Sequence, residues 1–371
     1  MEQIQKILEI GLEKYNKEHK VVGYKQKVMN AIKNCKTGEI GAHKYVCDEC
    51  GHEEIAYNSC RNRHCPNCQT GKKLKWIEAR KEEVLNIKYY HIVFTIPSEL
   101  YLIAMQNQEK IYKILFKASA ETLQELAGDT KYLGAEIGFF SILHTWGQNL
   151  MYHPHVHLVV TGGGLSKIGK WVEKEEDFFI PVKVMSRKFR GKFLDYMRRE
   201  KIEFYGENKD LENPASYNNL IQKMYNKEWV VYCKEPFQNA SSVIQYLGRY
   251  THRVAISNER ILKIEEGKVT FKWRDYKDNN KMKEMTVSIE EFIRRFMLHI
   301  LPTKFMKIRY YGLLGNRNKK KKLLKCKILT RTKIYKNKKL PTLELLKKSL
   351  RKDFNLCPLC KKGHMLIPNT T

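Results

Sequence analysis

The chain has 371 residues, and its 42% hydrophobic and 11% aromatic content is typical of a folded globular protein and excludes a disordered one. Lys and Arg number 69 against 40 Asp and Glu, which gives a formal net charge of +29. That excess indicates a polyanionic partner. Because no apolar run reaches about 18 residues, nucleic acid is expected rather than a membrane or a small-molecule substrate. The amphipathic N-terminal stretch lacks the apolar core of a signal peptide, which favours a cytoplasmic, nucleoid-associated protein.

The first part of the chain alternates between helical and strand-like patterns. Residues 1–34 carry apolar side chains at the spacing of one helix face. Residues 35–72 are rich in Cys, His, Asn and Gly and poor in aliphatic residues, so a metal is expected to replace the missing core. A helix is predicted at 73–86. Runs of β-branched and aromatic residues predict buried strands at 89–96, 137–145, 155–162 and 228–233.

Charged and amphipathic segments separate and follow these strands. The highly charged residues 166–225 are interpreted as an insertion. From residue 317 onward the chain is a Lys-rich tail that closes with a CxxC unit. Further helices are predicted at 98–127, 241–253 and 287–301, and a hairpin at 260–276.

Eight of the ten cysteines fall into two groups, one between residues 35 and 68 and one near the C-terminal end. Two thiolates with two residues between them can face one ion, so CxxC pairs without a secretion signal predict zinc rather than disulfides. Cys60 and His64 are alternative ligands, and a second ion stays open, as does the role of Cys357 and Cys360. The main prediction is one tetrahedral zinc site formed by Cys47, Cys50, Cys65 and Cys68.

The segment HPHVHLVV places His153, His155 and His157 at a period of two. On a strand these side chains share one face, and two imidazoles on one face can bind a single divalent cation. Half-exposed histidines without a metal would give the same pattern. The triplet therefore predicts a cation site only in combination with other motifs.

Tyr246 and Tyr250 are four residues apart in a predicted helix, so their phenols are expected on one face, one turn apart. An aromatic core stripe is the alternative interpretation. The cations interleaved with the tyrosines favour a functional site, because a buried stripe is not usually flanked in this way. The basic residues expected to contact DNA are Arg61, Arg63, Arg249 and Arg253.

In combination with the basic charge, these motifs are similar to those of one transposase family. The chain resembles the insertion sequence 91 family, the two-tyrosine HUH rolling-circle transposases with an N-terminal zinc-binding domain. The resemblance is carried by NSCRNRHCPNCQ (58–69), HIVFTIPSEL (91–100), LHTWGQNLMYHPHVHLVVTGGGLS (143–166), YLGRYTHRVAISNERI (246–261) and the terminal CPLC.

The resemblance implies an α+β fold, with a ferredoxin-like HUH-nuclease palm in which helices flank an antiparallel sheet. An N-terminal zinc-binding domain and a basic C-terminal tail accompany the palm. The expected units are an N-terminal helix (1–34), the zinc-binding domain (35–75), the HUH domain (76–262), a hairpin with an amphipathic helix (263–316) and the Lys-rich tail (317–371).

The resemblance also implies metal-dependent cleavage of single-stranded DNA, with strand transfer between transposon ends and target. His155 and His157 would hold Mg²⁺ or Mn²⁺ against the scissile phosphate. Tyr246 or Tyr250 would attack this phosphate and give a 5′-phosphotyrosine and a free 3′-OH. The third metal ligand stays open, with a weak preference for Gln148. The competing side chains are Gln148, His144, His153 and Gln245.

Two other functions stay open at this point. A rolling-circle replication initiator or relaxase would use the same chemistry, although the zinc segment and the lack of a GxxxxGKS motif argue against it. A non-catalytic zinc protein would bind DNA without becoming covalently attached to it.

Overall fold

The computed structural model describes most of the chain, in which helices and strands alternate. The described residues are 2–174, 180–237, 242, 243, 246, 248, 254–276, 278–334, 340–351 and 353–368. The helices are α1 (Gln3–Glu18), α2 (Gly23–Lys33), α3 (Gln69–Lys81), α4 (Tyr101–Gln106), α5 (Gln108–Gly128), α6 (Val182–Arg199), α7 (Pro214–Asn226), α8 (Ile289–Leu298), α9 (Lys319–Leu329) and α10 (Thr342–Leu350). The strands are β1 (Ala42–Cys47), β2 (Glu53–Tyr57), β3 (Tyr89–Thr95), β4 (Ala135–Trp146), β5 (Tyr152–Ser166), β6 (Trp171–Glu173), β7 (Val231–Phe237), β8 (Ile261–Glu265), β9 (Lys268–Asp275), β10 (Lys281–Ser288), β11 (Ile308–Gly312) and β12 (Met365–Leu366).

The largest sheet has six strands in the order β11-β4-β5-β3-β7, with β6 paired to the far end of β5. The pairings are antiparallel, and β5 lies between β4 and β3. This central position explains why the predicted strand 155–162 is an almost continuous apolar run, since both of its neighbours and both faces bury it. The sheet agrees with the expected antiparallel sheet flanked by helices.

The two faces of this sheet have different neighbours. On one face, Ile92, Phe94 and Leu158 are fully buried in the main core with α5 and α6. Phe94 contacts Phe189 of α6 with ring centroids 4.8 Å apart. The predicted insertion, 166–225, contains α6 and nearly all of α7, and both helices contribute to this core.

The other face of the sheet carries the histidine segment and a smaller core. Val159 and Phe140 pack there with Leu323 of α9 and with Val243. Trp76 of α3 contacts the Phe140 ring and donates a hydrogen bond to Tyr310 of β11 at 2.9 Å. Helices α3 and α9 and the segment around Val243 therefore cover the face on which the histidines lie.

A second core joins the N-terminal segment predicted at 1–34 to the hairpin and helix predicted at 263–316. Leu8 of α1, Met29 of α2, Phe271 of β9 and Phe292 of α8 are fully buried together. The predicted N-terminal helix is thus two helices that pack against α8 and the sheet β10-β9-β8. None of the helices within the described part of the chain is long and apolar enough to cross a membrane.

Candidate active site and cysteine clusters

Three histidines meet at the centre of the large sheet. His155 and His157 follow each other at a period of two on β5, and His144 of β4 lies opposite His155 in the strand register. The Nε2 atoms of His155 and His157 are 3.0 Å apart. One ring nitrogen from each histidine can be chosen so that all three lie within 4.8 Å of one another. Three imidazole nitrogens at this separation can share one metal ion.

Hydrogen bonds to the other ring nitrogens orient two of these histidines. Nδ1 of His155 lies 2.6 Å from the carbonyl oxygen of His153, to which it donates. Nδ1 of His157 lies 2.9 Å from Nε2 of His91 on β3. Because both Nδ1 atoms are engaged, both Nε2 atoms are directed toward the common centre. Such outer partners are the usual means of fixing ring orientation and tautomer in metal sites.

Burial keeps His155 and His91 uncharged at neutral pH. Loss of hydration lowers the pKa of His155 to about 3 and that of His91 to about 4. His155 is 8% exposed and His91 is 6% exposed. Neutral imidazole is the form that ligates metals, so His155 can bind a cation without first losing a proton.

Tyr246 reaches the histidine group through His91, a residue that the sequence analysis did not single out. The Tyr246 phenol oxygen lies 2.9 Å from both ring nitrogens of His91. The ring centroids of His91 and His157 are 5.1 Å apart, and the angle between the two ring planes is 4°. One signal in the sequence pointed to His91: it is a polar residue inside the apolar run YYHIVFT. Tyr250 lies outside the described residues.

Gln148, the third ligand preferred from the sequence, does not lie beside His155 and His157. Gln148 donates its side-chain amide to the Tyr276 phenol at 2.9 Å. His153 accepts the hydroxyl of Tyr101 at its own ring nitrogen. Gln245 lies outside the described residues. Among the described candidates it is therefore His144, and not Gln148, that lies with His155 and His157, because the antiparallel register of β4 and β5 sets it beside His155.

The four cysteines predicted to form one zinc site are divided between two clusters. Cys65 and Cys68 lie with Cys35 and Cys60, whereas Cys47 and Cys50 lie with the terminal pair Cys357 and Cys360. The predicted grouping is corrected, because the β1–β2 hairpin separates the first CxxC unit from the second. Of the alternative ligands, Cys60 joins the first cluster. The ring of His64 instead contacts the Arg63 side chain and the backbone N–H of Leu301.

The first cluster has the dimensions of a tetrahedral thiolate site. The Sγ atom of Cys68 lies 3.5 Å from that of Cys35 and 3.6 Å from that of Cys60. A zinc ion with bonds of about 2.3 Å to four sulfurs requires edges of about 3.8 Å. Hydrogen bonds from the neighbouring thiols, Cys60 first, lower the pKa of Cys68, which favours a thiolate there. The residues of this cluster therefore fit zinc.

The predicted DNA-contacting arginines have different surroundings. The Arg63 guanidinium donates to the carbonyl oxygens of Leu301, Pro302 and Phe305, so it holds the chain after α8 in place rather than facing solvent. Arg61 is exposed beside the first cysteine cluster. The remaining two, Arg249 and Arg253, lie outside the described residues.

Comparisons with known proteins match both regions of the chain in which these residues lie. A family model described as "Putative transposase" matches residues 138–322, and one described as "Transposase zinc-binding domain" matches residues 7–96. The chain is 45% identical to "Putative transposase y4qJ" of Sinorhizobium fredii (strain NBRC 101917 / NGR234), over 95% of this chain and 92% of the relative. It is 29% identical to "Transposase for insertion sequence element IS801" of Pseudomonas savastanoi pv. phaseolicola, over 76% of this chain and 68% of the relative. No solved structure matches significantly.

The matched regions contain the main features of the structure. The zinc-binding match includes all four cysteines of the first cluster, and the transposase match includes all three histidines. A relative that is 45% identical over nearly the whole length extends the similarity to the rest of the chain. The chain therefore belongs to the transposases of the insertion sequence 91 family, enzymes that act on DNA.

Proposed function

We propose that this transposase cuts and rejoins single-stranded DNA through a covalent 5′-phosphotyrosine, with Tyr246 as a nucleophile. The observation that carries the proposal is the continuous contact from the Tyr246 phenol through His91 to His157. A phenol used only for core packing would not need a buried imidazole that also contacts a cluster of ring nitrogens. The antiparallel sheet, with α5 and α6 on one face and the histidines with α3 and α9 on the other, supports the HUH-type palm.

The histidine trio fits a divalent cation, and its donor set favours Mn²⁺ over Mg²⁺. The three candidate ligands His144, His155 and His157 are all imidazoles. Mg²⁺ strongly prefers oxygen donors, whereas imidazole suits transition metals better. A divalent cation bound there would polarise a non-bridging phosphate oxygen and stabilise the charge that develops during attack.

The side chains of the protein supply the nucleophile and its orientation. A hydrogen bond between the Tyr246 phenol and His91 fixes the phenol oxygen beside the histidine trio. A bond forms between this oxygen and phosphorus while the bond from phosphorus to the 3′ oxygen breaks. The phenol gives up its proton and the departing oxygen gains one, so the products are a 5′-phosphotyrosine and a free 3′-OH. Attack by another 3′-OH reverses the step and joins the strands.

A second tyrosine would allow two cut ends to be held at once. Tyr250 is one helical turn beyond Tyr246 in the sequence, and Ser242, Val243, Tyr246 and Gly248 are helical. In this proposal one tyrosine retains the first DNA end while the other cuts the next strand. Arg249 and Arg253, interleaved with the tyrosines, would contact the phosphates.

Single-stranded DNA is proposed as the substrate because in-line attack requires a sharply bent strand at the scissile phosphate. Duplex stacking resists such a bend. The net charge of +29 supplies phosphate attraction, including from the exposed Arg61. The first cysteine cluster, with zinc bound, would hold this basic segment in shape.

The experiment is a covalent-adduct assay with the element's own ends as single strands in Mn²⁺. Wild-type protein should retain a 3′-end label through denaturation, because the 5′-phosphate side of the cut stays on tyrosine. The Tyr246→Phe, Tyr250→Phe double variant should retain none. An adduct of undiminished yield in the double variant would identify another nucleophile and overturn the proposal.

A further inference from the structure

The second cysteine cluster joins two ends of the chain by two knuckles with the same backbone geometry. In the first knuckle, Gly51 follows Cys50 with φ of 69° and its N–H donates to the Cys47 carbonyl at 3.1 Å. In the second, Lys361 follows Cys360 with φ of 56° and its N–H donates to the Cys357 carbonyl, also at 3.1 Å. A non-glycine residue in this left-handed region requires a compensating gain in stability.

The sulfur atoms of the two knuckles face each other at zinc-site distances. Cys47 Sγ lies 3.8 Å from Cys360 Sγ, and Cys50 Sγ lies 3.7 Å from Cys357 Sγ. The edge of a tetrahedral four-thiolate zinc site is about 3.8 Å. Backbone N–H groups also donate to the sulfurs, from Cys50 to Cys47 at 3.5 Å and from Gly363 to Cys360 at 3.4 Å.

Little apolar packing is present to hold this junction together. The buried cluster contains Cys47, Cys357 and Met365, with Tyr45 and Cys360 partly buried against it. The strand pairing is short, with Val46 opposite Leu366 and Cys47 opposite Met365. A contact of this size cannot offset the conformational entropy of ordering the C-terminal segment.

We propose that Cys47, Cys50, Cys357 and Cys360 bind a second zinc ion, which fastens the C-terminal segment to the N-terminal hairpin. This site lies beyond the proposed strand-cutting function. Two of its ligands, Cys357 and Cys360, lie outside both segments matched by the family models. Gly363 is required at the junction, because a Cβ there would lie 2.6 Å from the Cys47 sulfur.

The proposed second zinc site, called the zinc clamp below, also affects how the segment that contains Tyr246 is supported. Helix α10, which precedes the terminal knuckle in the chain, packs against α3. Thr342 of α10 lies close to Gly71 of α3. Another contact of α3 is with Gly248, where an added Cβ would lie 2.5 Å from the Ile77 side chain. The clamp therefore holds α10 on α3, and α3 in turn packs against the segment that contains Tyr246.

Zinc content of the full-length protein tests the proposal. Wild type should carry two zinc ions per chain, and the Cys357→Ser, Cys360→Ser double variant should carry one. The matched control is Cys233→Ser, a half-buried cysteine outside both clusters, which should retain two. Two zinc ions in the double variant, or one in wild type, would overturn the proposal.

Two further measurements distinguish a bound zinc ion from a disulfide pair and from general unfolding of the variant. After unfolding in chelator, all ten cysteines should react as thiols. Four missing thiols would mean that the four cysteines of the cluster form two disulfides. Hydrogen exchange should become faster in α10 and β12 of the double variant but stay unchanged in β5. Faster exchange throughout the chain would show general unfolding, in which case Cys47→Ser alone must still lower zinc from two to one.

Discussion

The Tyr246 phenol lies 2.9 Å from the imidazole of His91, and that imidazole contacts His157 at the same distance. This relationship connects the tyrosine segment to the centre of the sheet. It also gives His91 a defined place: it contacts both the proposed nucleophile and a proposed metal ligand, but it is not itself one of the trio.

His91→Ala should lower the rate of covalent adduct formation about 10- to 100-fold, the usual cost of removing an outer partner of a metal site. Without His91 the phenol loses its orientation and His157 loses its Nδ1 partner. The rate is measured in single turnover at saturating Mn²⁺, with exposed His43→Ala as the control. A rate equal to that of the control would remove His91 from the site.

His144→Ala should weaken Mn²⁺ binding at least about 10-fold, because one of three imidazole ligands is lost. Gln148→Ala is the matched comparison and should bind Mn²⁺ like wild type, since the amide of Gln148 contacts Tyr276. Titration calorimetry of the two variants checks this prediction. The reverse order of affinities would restore Gln148 as the third ligand.

Cys35→Ser with Cys68→Ser should unfold the N-terminal region rather than only loosen it. Structural zinc contributes on the order of 10–16 kcal/mol of apparent binding energy in small zinc-finger peptides. Cys35 also anchors α1, because its carbonyl oxygen accepts a hydrogen bond from the buried Gln5. Loss of one zinc together with a lower Tm is expected, and a variant that keeps the wild-type Tm would contradict it.

His299 should make folding stability depend on pH. Burial lowers its pKa from 6.5 to about 4, so the unfolded chain binds a proton below pH 6.5 and the folded chain does not. The free energy of unfolding should therefore fall by roughly 1 kcal/mol between pH 7 and pH 5.5 through this group alone. In His299→Gln the fall should be smaller by that amount, and denaturant melts at both pH values check it. Equal pH dependence in both proteins would contradict the assignment.

The sequence predicted the positions of strands better than the contacts between residues that are distant in the chain. The strands at 89–96, 137–145 and 155–162 appear as β3, β4 and β5, because alternating and apolar runs depend on neighbours along the chain. The third histidine could not be chosen in this way. His144 meets His155 through the register of two strands, which a single sequence does not specify.

The cysteine pairing shows the same limit. Spacing identified the CxxC units correctly as candidate zinc knuckles, but a knuckle does not specify its partner. Cys47 and Cys50 lie at the start and end of the β1–β2 turn, and β1 pairs with β12 from the far end of the chain. The partner pair Cys357 and Cys360 is therefore brought in by a long-range contact that no local pattern encodes.

The most direct measurement compares adduct formation on a single strand and on the matching relaxed duplex, with 3′-labelled element ends in Mn²⁺. Wild type should become covalently labelled on the single strand and much more slowly on the duplex. The Tyr246→Phe, Tyr250→Phe variant should bind the single strand with nearly wild-type affinity but form no adduct, since binding depends on Lys and Arg charge. Labelling of the double variant, or equally fast labelling on the relaxed duplex, would contradict cleavage of single-stranded DNA by these tyrosines.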